Sequence, residues 1–316
     1  MSFSTLRNKC ATGYLPMIND KWRNQFYYDA LNKHAAGKVV LDMGSGTGIL
    51  AFYALAAGAK FVYAVERQPD AADLTYQVLK QKFDTSRFAV LTCDFWSDEL
   101  DSVVFEYPID IIVSETVGPG LFDQGMIHTW DCIKPYLSPN AISVPDTISC
   151  DLWVWQDQFD SHYLRSVGYE DQTSRLLPDA CINQDFVEAL LSQNRPLTDQ
   201  EMQWANINSI LFEPDHIYTD KVAYTMNCLP DINYSSDPYP RHIKPDISFE
   251  FEIDGPAFVA VIGKISFESQ TLYIKDAAEM PWRYNPVFNI PSAGKYHINY
   301  NNFNLGHMAL EEWKLS

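Results

Sequence analysis

Residues 38–50 read KVVLDMGSGTGIL, and this stretch decides the fold. An apolar run ends in the carboxylate of Asp42, and Gly44, Gly46 and Gly48 follow at alternate positions. Glycines between a strand and a helix let the backbone approach a ligand closely at the carboxyl edge of a parallel sheet. The stretch therefore predicts a ligand-binding loop in an α/β domain. A carboxylate beside that loop suits a ligand that carries an ammonium group.

The flanking sequence continues the alternation of strands and helices. Short apolar runs predict buried parallel strands, and the segments between them have the spacing or composition of helices. The strands fall at 38–42, 61–66, 88–93 and 109–114, and the helices at 19–34, from 49 to a stop at Gly58, and at 70–83, with Asp70 as the N-cap. This order predicts a doubly wound, Rossmann-like α/β sheet over residues 1–146.

The pattern changes beyond this first domain. Alternating apolar and polar residues at 148–155, 247–253 and 258–267 predict antiparallel strands with one solvated face. Between them, a polar insertion at about 169–204 favours helices. We therefore expect residues 147–316 to form a second domain, a β-sandwich or β-barrel with a helical arm.

Glu66 ends the second predicted strand, as Asp42 ends the first. An acid at this place can accept hydrogen bonds from both ribose hydroxyls of an adenosine ligand. The spacing fits dehydrogenases as well as methyltransferases, but the loop G-S-G-T-G lacks the third glycine of the dinucleotide type, which disfavours a dehydrogenase. A tight turn held by structural acids is the remaining alternative.

A second loop, SETVGPGLFDQGM at residues 114–126, follows the fourth predicted strand. Glu115 lies at the carboxyl end of that strand, where the active sites of α/β proteins form. Three glycines and a proline in this segment indicate a fixed loop. A helix-capping acid followed by turn glycines is the structural alternative.

The composition limits the possible partners. The 316 residues carry a formal net charge of −18 at pH 7, which disfavours nucleic-acid binding and docking on an anionic membrane and suits a cationic substrate or a basic partner. The six cysteines form no CxxC pair, so reduced thiols are expected and a metal site is not. The opening MSFSTLRNKC lacks the apolar run of a signal peptide. These features predict a cytoplasmic protein.

Several motifs in the correct order together resemble the protein arginine methyltransferase family. They are the spaced residues Met17, Asp20, Arg23 and Tyr27, then VLDMGSGTGIL, AVE and SET-x-G-x-x-LFDQGM. The resemblance covers most of residues 14–155 and continues weakly through the second half. It implies a Rossmann-like cofactor domain, a β-barrel and a helical dimerisation arm, and therefore a homodimer.

The resemblance also implies the ligands. S-adenosylmethionine would be the methyl donor, and a guanidine nitrogen of arginine, in a protein, in a peptide or as free arginine, would be the acceptor. The implied cofactor contacts are Arg23 for the carboxylate, Asp42, Gly44 and Gly46 for the amino-acid end and its loop, Glu66 for the ribose, Met17 and Met126 for the sulfonium region, and Asp94, or equally Trp96, for adenine.

The implied catalytic residues depart from the family pattern at two places. The family uses two loop glutamates, of which the first falls on Glu115, whereas the second position holds Gln124, which carries no charge. Of the family's Thr-His-Trp turn, Trp282 is clearly retained. Three interpretations stay open: an arginine methyltransferase, a catalytically weakened subunit that binds and regulates an active partner, and a methyltransferase acting on a nucleophile other than guanidine.

Overall fold

The computed structural model describes residues 17–18, 21–95, 100, 102–116, 132–155, 219–227, 248–255, 257–273, 287–290, 292–302 and 307–313. These residues belong to two compact units, and within the described ranges the chain changes unit between Glu115 and Thr116 and between Pro145 and Asp146. The boundary expected at residue 146 adjoins the second of these points. The assignment of residues 147–316 to one substrate domain stays a prediction.

The first unit is a parallel sheet with helices packed against it. Its helices are α1 (Lys21–His34), α2 (Ile49–Ala56) and α3 (Pro69–Leu79), and its strands are β1 (Val39–Met43), β2 (Phe61–Glu66), β3 (Phe88–Thr92), β4 (Ile109–Ser114) and β5 (Leu137–Val144). Single 3-10 turns cover Thr85–Arg87 and Lys134–Tyr136. The strand order is β3-β2-β1-β4-β5, with every neighbouring pair parallel. This confirms the predicted Rossmann-like sheet and places its topological switch point between β1 and β4.

The core follows from two apolar segments on either side of the glycines. Every residue of β1 is buried, including Asp42, as expected for a central strand covered on both faces. In α2, all residues from Ile49 to Leu55 are buried, because this helix is apolar on all sides and can only be stable inside the domain. The connection between β1 and α2 is therefore held between two rigid, buried elements. In the described part of the chain, no helix is both long and apolar enough to cross a membrane.

Two details of the first unit differ from the sequence-based expectations. Helix α3 begins at Pro69 with Gln68 as its N-cap, so the expected cap at Asp70 is wrong. Proline is favoured at the first helical position because its φ is already helical. Asp70 lies in the first turn, where its negative charge interacts favourably with the helix dipole. Strand β5 had not been predicted, because Ser138-Pro-Asn140 interrupts its apolar pattern.

The second unit consists of antiparallel strands. They are β6 (Thr147–Trp155), β7 (Thr219–Asn227), β8 (Ser248–Ile253), β9 (Ala257–Phe267), β10 (Gln270–Tyr273), β11 (Val287–Ile290), β12 (Gly294–Asn302) and β13 (His307–Trp313). One sheet has the order β10-β9-β6-β7 with β11 also paired to β9, and the other has the order β13-β12-β8. The three predicted strand segments correspond to β6, β8 and β9. The helical arm expected at 169–204 lies outside the described residues.

Candidate active site

A cavity of about 330 Å³, its open mouth included, lies at the carboxyl ends of β1 and β4. Five of the predicted site residues line it, namely Met17, Arg23, Gly44, Gly46 and Glu115. Three segments that are distant in sequence therefore meet here: the start of the chain's described part, the loop after β1 and the residue after β4. This is the position at which open α/β sheets bind ligands.

The glycine loop, Gly44–Gly48, forms one wall of the cavity. The backbone N–H groups of Gly44 and Ser45 both donate to the carbonyl of Val65 at the end of β2, at 2.9 and 3.0 Å. Gly48 has a φ of 79° and caps the N-terminus of α2, a conformation that side-chain-bearing residues rarely adopt. The loop is thus tied to β2 at its start and to α2 at its end.

Glu66 fastens the middle of this loop. Its Oε2 accepts the backbone N–H of Gly46 at 3.0 Å, and its Oε1 accepts the N–H of Gln68 at 2.9 Å. Glu66 is 6% exposed; its hydrogen bond with Gly46 is buried, whereas the one with the exposed Gln68 is partly buried. Each carboxylate oxygen keeps a further lone pair, to which a ribose hydroxyl could donate. The role of Glu66 toward a ribose stays a prediction, and its role in shaping the loop is an addition from the structure.

Asp42 lies beneath the glycine loop and is completely buried. Its Oδ2 accepts the backbone N–H of Ala51 in the first turn of α2 at 2.9 Å. Burial raises the pKa of Asp42 to about 7, and the nearby charge of Glu66 adds to this, whereas the Ala51 hydrogen bond and the charge of Arg23 oppose it. Among the described residues, Oδ1 of Asp42 has no hydrogen-bond partner. A buried carboxylate oxygen in this state is suited to receive a cation.

Arg23 and Glu115 form a largely buried ion pair inside the cavity. Nη2 of Arg23 lies 3.3 Å from Oε2 of Glu115, and the two side chains are 4% and 8% exposed. Nη1 of Arg23 also donates to Oδ1 of Asn24 at 3.1 Å. The residue predicted to bind the cofactor's carboxylate and the residue predicted to act on the substrate are therefore in direct contact.

Hydrogen bonds to the sheet fix the helix that carries Arg23. The hydroxyl of Tyr27, one turn further along α1, donates to the carbonyl of Ser114 at 2.8 Å, and Oγ of Ser114 donates to the carbonyl of Met43 at 3.0 Å. The Nδ2 of Asn24 donates to the carbonyl of Ile18 at 2.6 Å. Sequence reasoning had assigned no role to Asn24 or Ser114. Tyr27, which belongs to the first sequence motif, is fully buried, and a buried tyrosine hydroxyl needs a partner.

The remaining predicted site residues are not part of this cluster. Asp94 is half-buried and lies just beyond the end of β3, where the N–H of Cys93 donates to the carbonyl of Glu66 at 3.2 Å. Its contact with adenine stays a prediction. The other predicted positions lie outside the described residues: Gln124, Met126, Trp282 and the alternative adenine contact Trp96.

A comparison with known proteins gives matches to the first unit. Residues 26–117 match the model of the ribosomal protein L11 methyltransferase (PrmA) family. The matched segment begins within α1 and contains the glycine loop, Glu66 and Glu115. It therefore includes most of the cavity just described.

Curated relatives match about half of the chain. The probable protein arginine N-methyltransferase 3 of Arabidopsis thaliana is 31% identical over an alignment of 194 residues, and the match covers 54% of this chain and 32% of the relative. Protein arginine N-methyltransferase 1 of Chlamydomonas reinhardtii is 33% identical over 146 residues, 45% of this chain and 41% of the relative. The matches thus span less than half the length of either relative.

A solved structure extends the similarity of fold to most of the chain. The PRMT1 enzyme–prozyme heterotetrameric complex of Trypanosoma brucei with AdoHcy has a TM-score of 0.55 at 18% identity, covering 90% of this chain and 86% of that chain. At this identity the likeness concerns the fold alone. The curated relatives at higher identity supply the more specific relationship, and over about half of its length the chain is similar to protein arginine N-methyltransferases.

Proposed function

We propose that this protein is an S-adenosylmethionine-dependent N-methyltransferase that methylates a guanidine nitrogen of arginine. The acceptor we favour is an arginine in a protein or peptide, with free arginine as the small-molecule alternative. The observation that carries the proposal is the Arg23–Glu115 pair in the cavity beside the glycine loop. The similarity to named arginine N-methyltransferases supports the same reaction.

The residues around the cavity suit S-adenosylmethionine. The buried Oδ1 of Asp42 has no partner among the described residues and fits an ammonium group, while Glu66 retains lone pairs for ribose hydroxyls. At Gly44 and Gly46, which line the cavity, the loop presents backbone without side chains. When bound, S-adenosylmethionine supplies an electrophilic methyl group on a positively charged sulfur.

Glu115 has the chemistry needed to activate a guanidinium. A guanidinium is permanently charged and spreads that charge over three nitrogens, so each of them is a poor nucleophile. A carboxylate that accepts N–H groups from one side draws positive charge toward those nitrogens and leaves more electron density on the remaining one. The expected contribution is positioning and a local electric field.

Arg23 is suited to bind the methyl donor and to hold Glu115 at the same time. A guanidinium has five N–H donors, and the contact with Glu115 involves Nη2. We therefore expect Arg23 to bind the carboxylate of S-adenosylmethionine while holding Glu115 in the orientation that meets the substrate. Arg23→Lys would keep the charge but lose this geometry, because an ammonium cannot present two fixed donor edges.

Methyl transfer from labelled S-adenosylmethionine tests the proposal. The acceptors are an arginine-rich peptide, the same peptide with every arginine replaced by lysine, and free arginine, with products identified by mass spectrometry. We expect label on the arginine peptide and none on the lysine peptide. Glu115→Gln should abolish the transfer while changing S-adenosylhomocysteine affinity by about threefold at most. Methylation that survives Glu115→Gln undiminished would remove the guanidine assignment and leave only the methyltransferase fold.

A regulatory subunit is the second candidate function. It is favoured by Gln124, which stands where the family has its second loop glutamate. Gln124→Glu separates the two candidates. In an enzyme adapted to a neutral residue, the added charge should lower or redirect activity, because a buried carboxylate needs a partner. In a weakened subunit, the same change should raise methylation of arginine peptides.

We also propose the family's assembly and location for this chain. Residues 147–316 would form a β-barrel substrate domain, and an arm at about 169–204 would join two chains in a homodimer, which light scattering of the full chain would report as twice the monomer mass. Deletion of the arm should give a monomer. A cytoplasmic location is proposed from the sequence, whose six cysteines are scattered without a CxxC pair.

A further inference from the structure

Thr75 in α3 makes an unusual contact with the glycine loop. It is completely buried, and its hydroxyl donates to the backbone carbonyl of Gly46 at 2.9 Å. The two residues are separated by 29 positions in sequence. A hydroxyl has one proton to donate, so Thr75 donates its hydrogen bond to the loop that forms the cavity wall and not to a carbonyl of its own helix.

Together with Glu66, Thr75 holds Gly46 through both of its backbone polar groups. The N–H of Gly46 donates to Glu66 at 3.0 Å, and its carbonyl accepts from Thr75. The two partners come from different elements, the end of β2 and the middle of α3. Because both ends of the residue are bonded, neither adjoining peptide can rotate without breaking a buried hydrogen bond.

The methyl group of Thr75 packs against the end of the same loop. A Cβ placed on Gly48 would lie 2.8 Å from Cγ2 of Thr75, closer than real Cβ contacts come. The side chain therefore fills the space directly beside Gly48. Its hydroxyl and its methyl act on two different residues of the loop.

Threonine is unfavourable for helix stability at this position. A β-branched residue is a poorer helix former than alanine or leucine by roughly half a kcal/mol, and a buried hydroxyl loses its hydration unless it finds a partner. The neighbouring residues on the buried face of α3 include Leu74 and Val78. A residue that departs from such local preferences often marks a functional requirement.

We propose that Thr75 is a positioning residue for the methyl donor. By holding the Gly46 carbonyl, it sets the orientation of the loop backbone that lines the cavity and so raises the affinity for S-adenosyl ligands. This inference rests on the proposed function, because the ligand that the loop would receive is the one assigned there. Thr75 acts through the loop and has no contact of its own with the cavity.

Calorimetric binding of S-adenosylhomocysteine to the full chain tests the proposal with three variants. Thr75→Val is nearly isosteric and removes only the hydroxyl, whereas Thr75→Ser keeps the hydroxyl and removes the methyl. Val78→Thr is the control, because it changes an equally buried residue one turn further along the same helix. We expect Thr75→Val to weaken binding about 5- to 20-fold, and Thr75→Ser and Val78→Thr to stay within about twofold.

Amide hydrogen exchange of the ligand-free protein gives a second, independent readout. In Thr75→Val, exchange should speed up in peptides that contain Gly46–Gly48, while peptides from β4 should be unchanged. Thermal unfolding of all variants separates this local effect from a global loss of stability, which Val78→Thr should share. If Thr75→Val does not fold, Thr75→Ala takes its place in both measurements.

The outcomes distinguish this inference from the proposed function. Failure of the wild type to bind S-adenosylhomocysteine would overturn the proposed function and, with it, the role of Thr75 toward a ligand. Normal wild-type binding that is equally strong in Thr75→Val would overturn the inference alone. Equal weakening by Thr75→Val and Thr75→Ser would also overturn it, because packing of the methyl group would then be the cause.

Discussion

Asp42 should make the stability of this protein fall as the pH rises from about 4 to about 7. Its carboxyl group is fully buried, one oxygen accepts the N–H of Ala51, and the other has no partner among the described residues. Burial raises its pKa from the ordinary 3.8 to about 7. Asp42→Asn keeps an oxygen that can accept from Ala51 but removes the titration. The comparison of this variant with the wild type isolates the effect of one proton.

The sign follows from the direction of the pKa change. Between about pH 4 and pH 7 the folded wild type keeps a proton on Asp42 that the unfolded chain has lost, so unfolding becomes easier as the pH rises. A pKa of about 7 in the folded protein against 3.8 in the unfolded chain corresponds to roughly 4 kcal/mol when the titration is complete. About 3 kcal/mol of this falls between pH 5 and pH 8.

Urea unfolding of the wild type and Asp42→Asn at pH 5, 6, 7 and 8 measures the difference directly. The free energy of unfolding of the variant should rise by about 3 kcal/mol relative to that of the wild type between pH 5 and pH 8. Asp84→Asn is the control. Asp84 is exposed, and hydrogen bonds from Ser86 lower its pKa, so it stays ionised from pH 5 to pH 8 in both states. Its effect on unfolding should therefore be the same at every pH.

A difference between wild type and Asp42→Asn that does not change with pH would refute this reasoning. It would mean that Asp42 is already ionised in the folded protein at pH 5, and that its buried oxygen has a cationic partner without the methyl donor. In that case the argument that Asp42 awaits an ammonium group would fail as well. The reasoning would also be refuted if the free energy of unfolding of the wild type rose relative to that of Asp42→Asn as the pH increased.

Three further predictions concern the loop and its supports. Glu66→Ala should weaken S-adenosylhomocysteine binding by about 1.5–3 kcal/mol in calorimetry, because charged hydrogen bonds to the ligand and the bond to Gly46 are lost together. Tyr27→Phe should lower the free energy of unfolding by about 1 kcal/mol, because it removes a buried donor from the Ser114 carbonyl. Gly48→Ala should destabilise the protein by at least about 1 kcal/mol more than Gly37→Ala, because both residues have positive φ but a Cβ clashes only at Gly48.

Specific results would contradict each of these. Undiminished affinity in Glu66→Ala would exclude this carboxylate from the cofactor site. A Tyr27→Phe protein as stable as the wild type would mean that water satisfies the Ser114 carbonyl. Equal costs at Gly48 and Gly37 would show that Thr75 moves aside easily, and the tight packing argued for that residue would be wrong.

The parts of the fold that sequence predicts are those determined by local pattern. The strands β1 to β4 are continuous apolar runs, and the glycine loop between β1 and α2 has one common structural explanation. Strand β5 cannot be predicted from its local pattern, because Ser138-Pro-Asn140 interrupts the apolar residues. Its strand conformation is stabilised by its pairing with β4. Asp70 was misassigned as a cap because both Asp70 and Pro69 are helix-start signals, and the proline has the stricter backbone requirement.

The site divides in a similar way. Glycines and strand-terminal acids can be identified from the sequence, because their spacing indicates where the carboxyl edge of the sheet lies. The contacts of Tyr27 with Ser114 and of Thr75 with Gly46 join residues 87 and 29 positions apart, and no spacing rule predicts such partners. The Arg23–Glu115 pair, 92 positions apart, was hidden for the same reason, because the two residues had been assigned to different ligands.

The charges at this edge of the sheet offer an explanation for the neutral Gln124. Among the described residues, the buried groups here are the carboxylates of Asp42, Glu66 and Glu115 and the guanidinium of Arg23. S-adenosylmethionine brings a sulfonium, an ammonium and a carboxylate, and an arginine substrate brings one more positive charge. With Asp42 ionised once the ammonium has arrived, these charges sum to zero. A glutamate at position 124 that faced this site would add a negative charge that these groups do not balance, and burial of such a charge is strongly unfavourable. The glutamine is therefore compatible with a working methyltransferase site, and the gain or loss of activity in Gln124→Glu measures how closely the site depends on that balance.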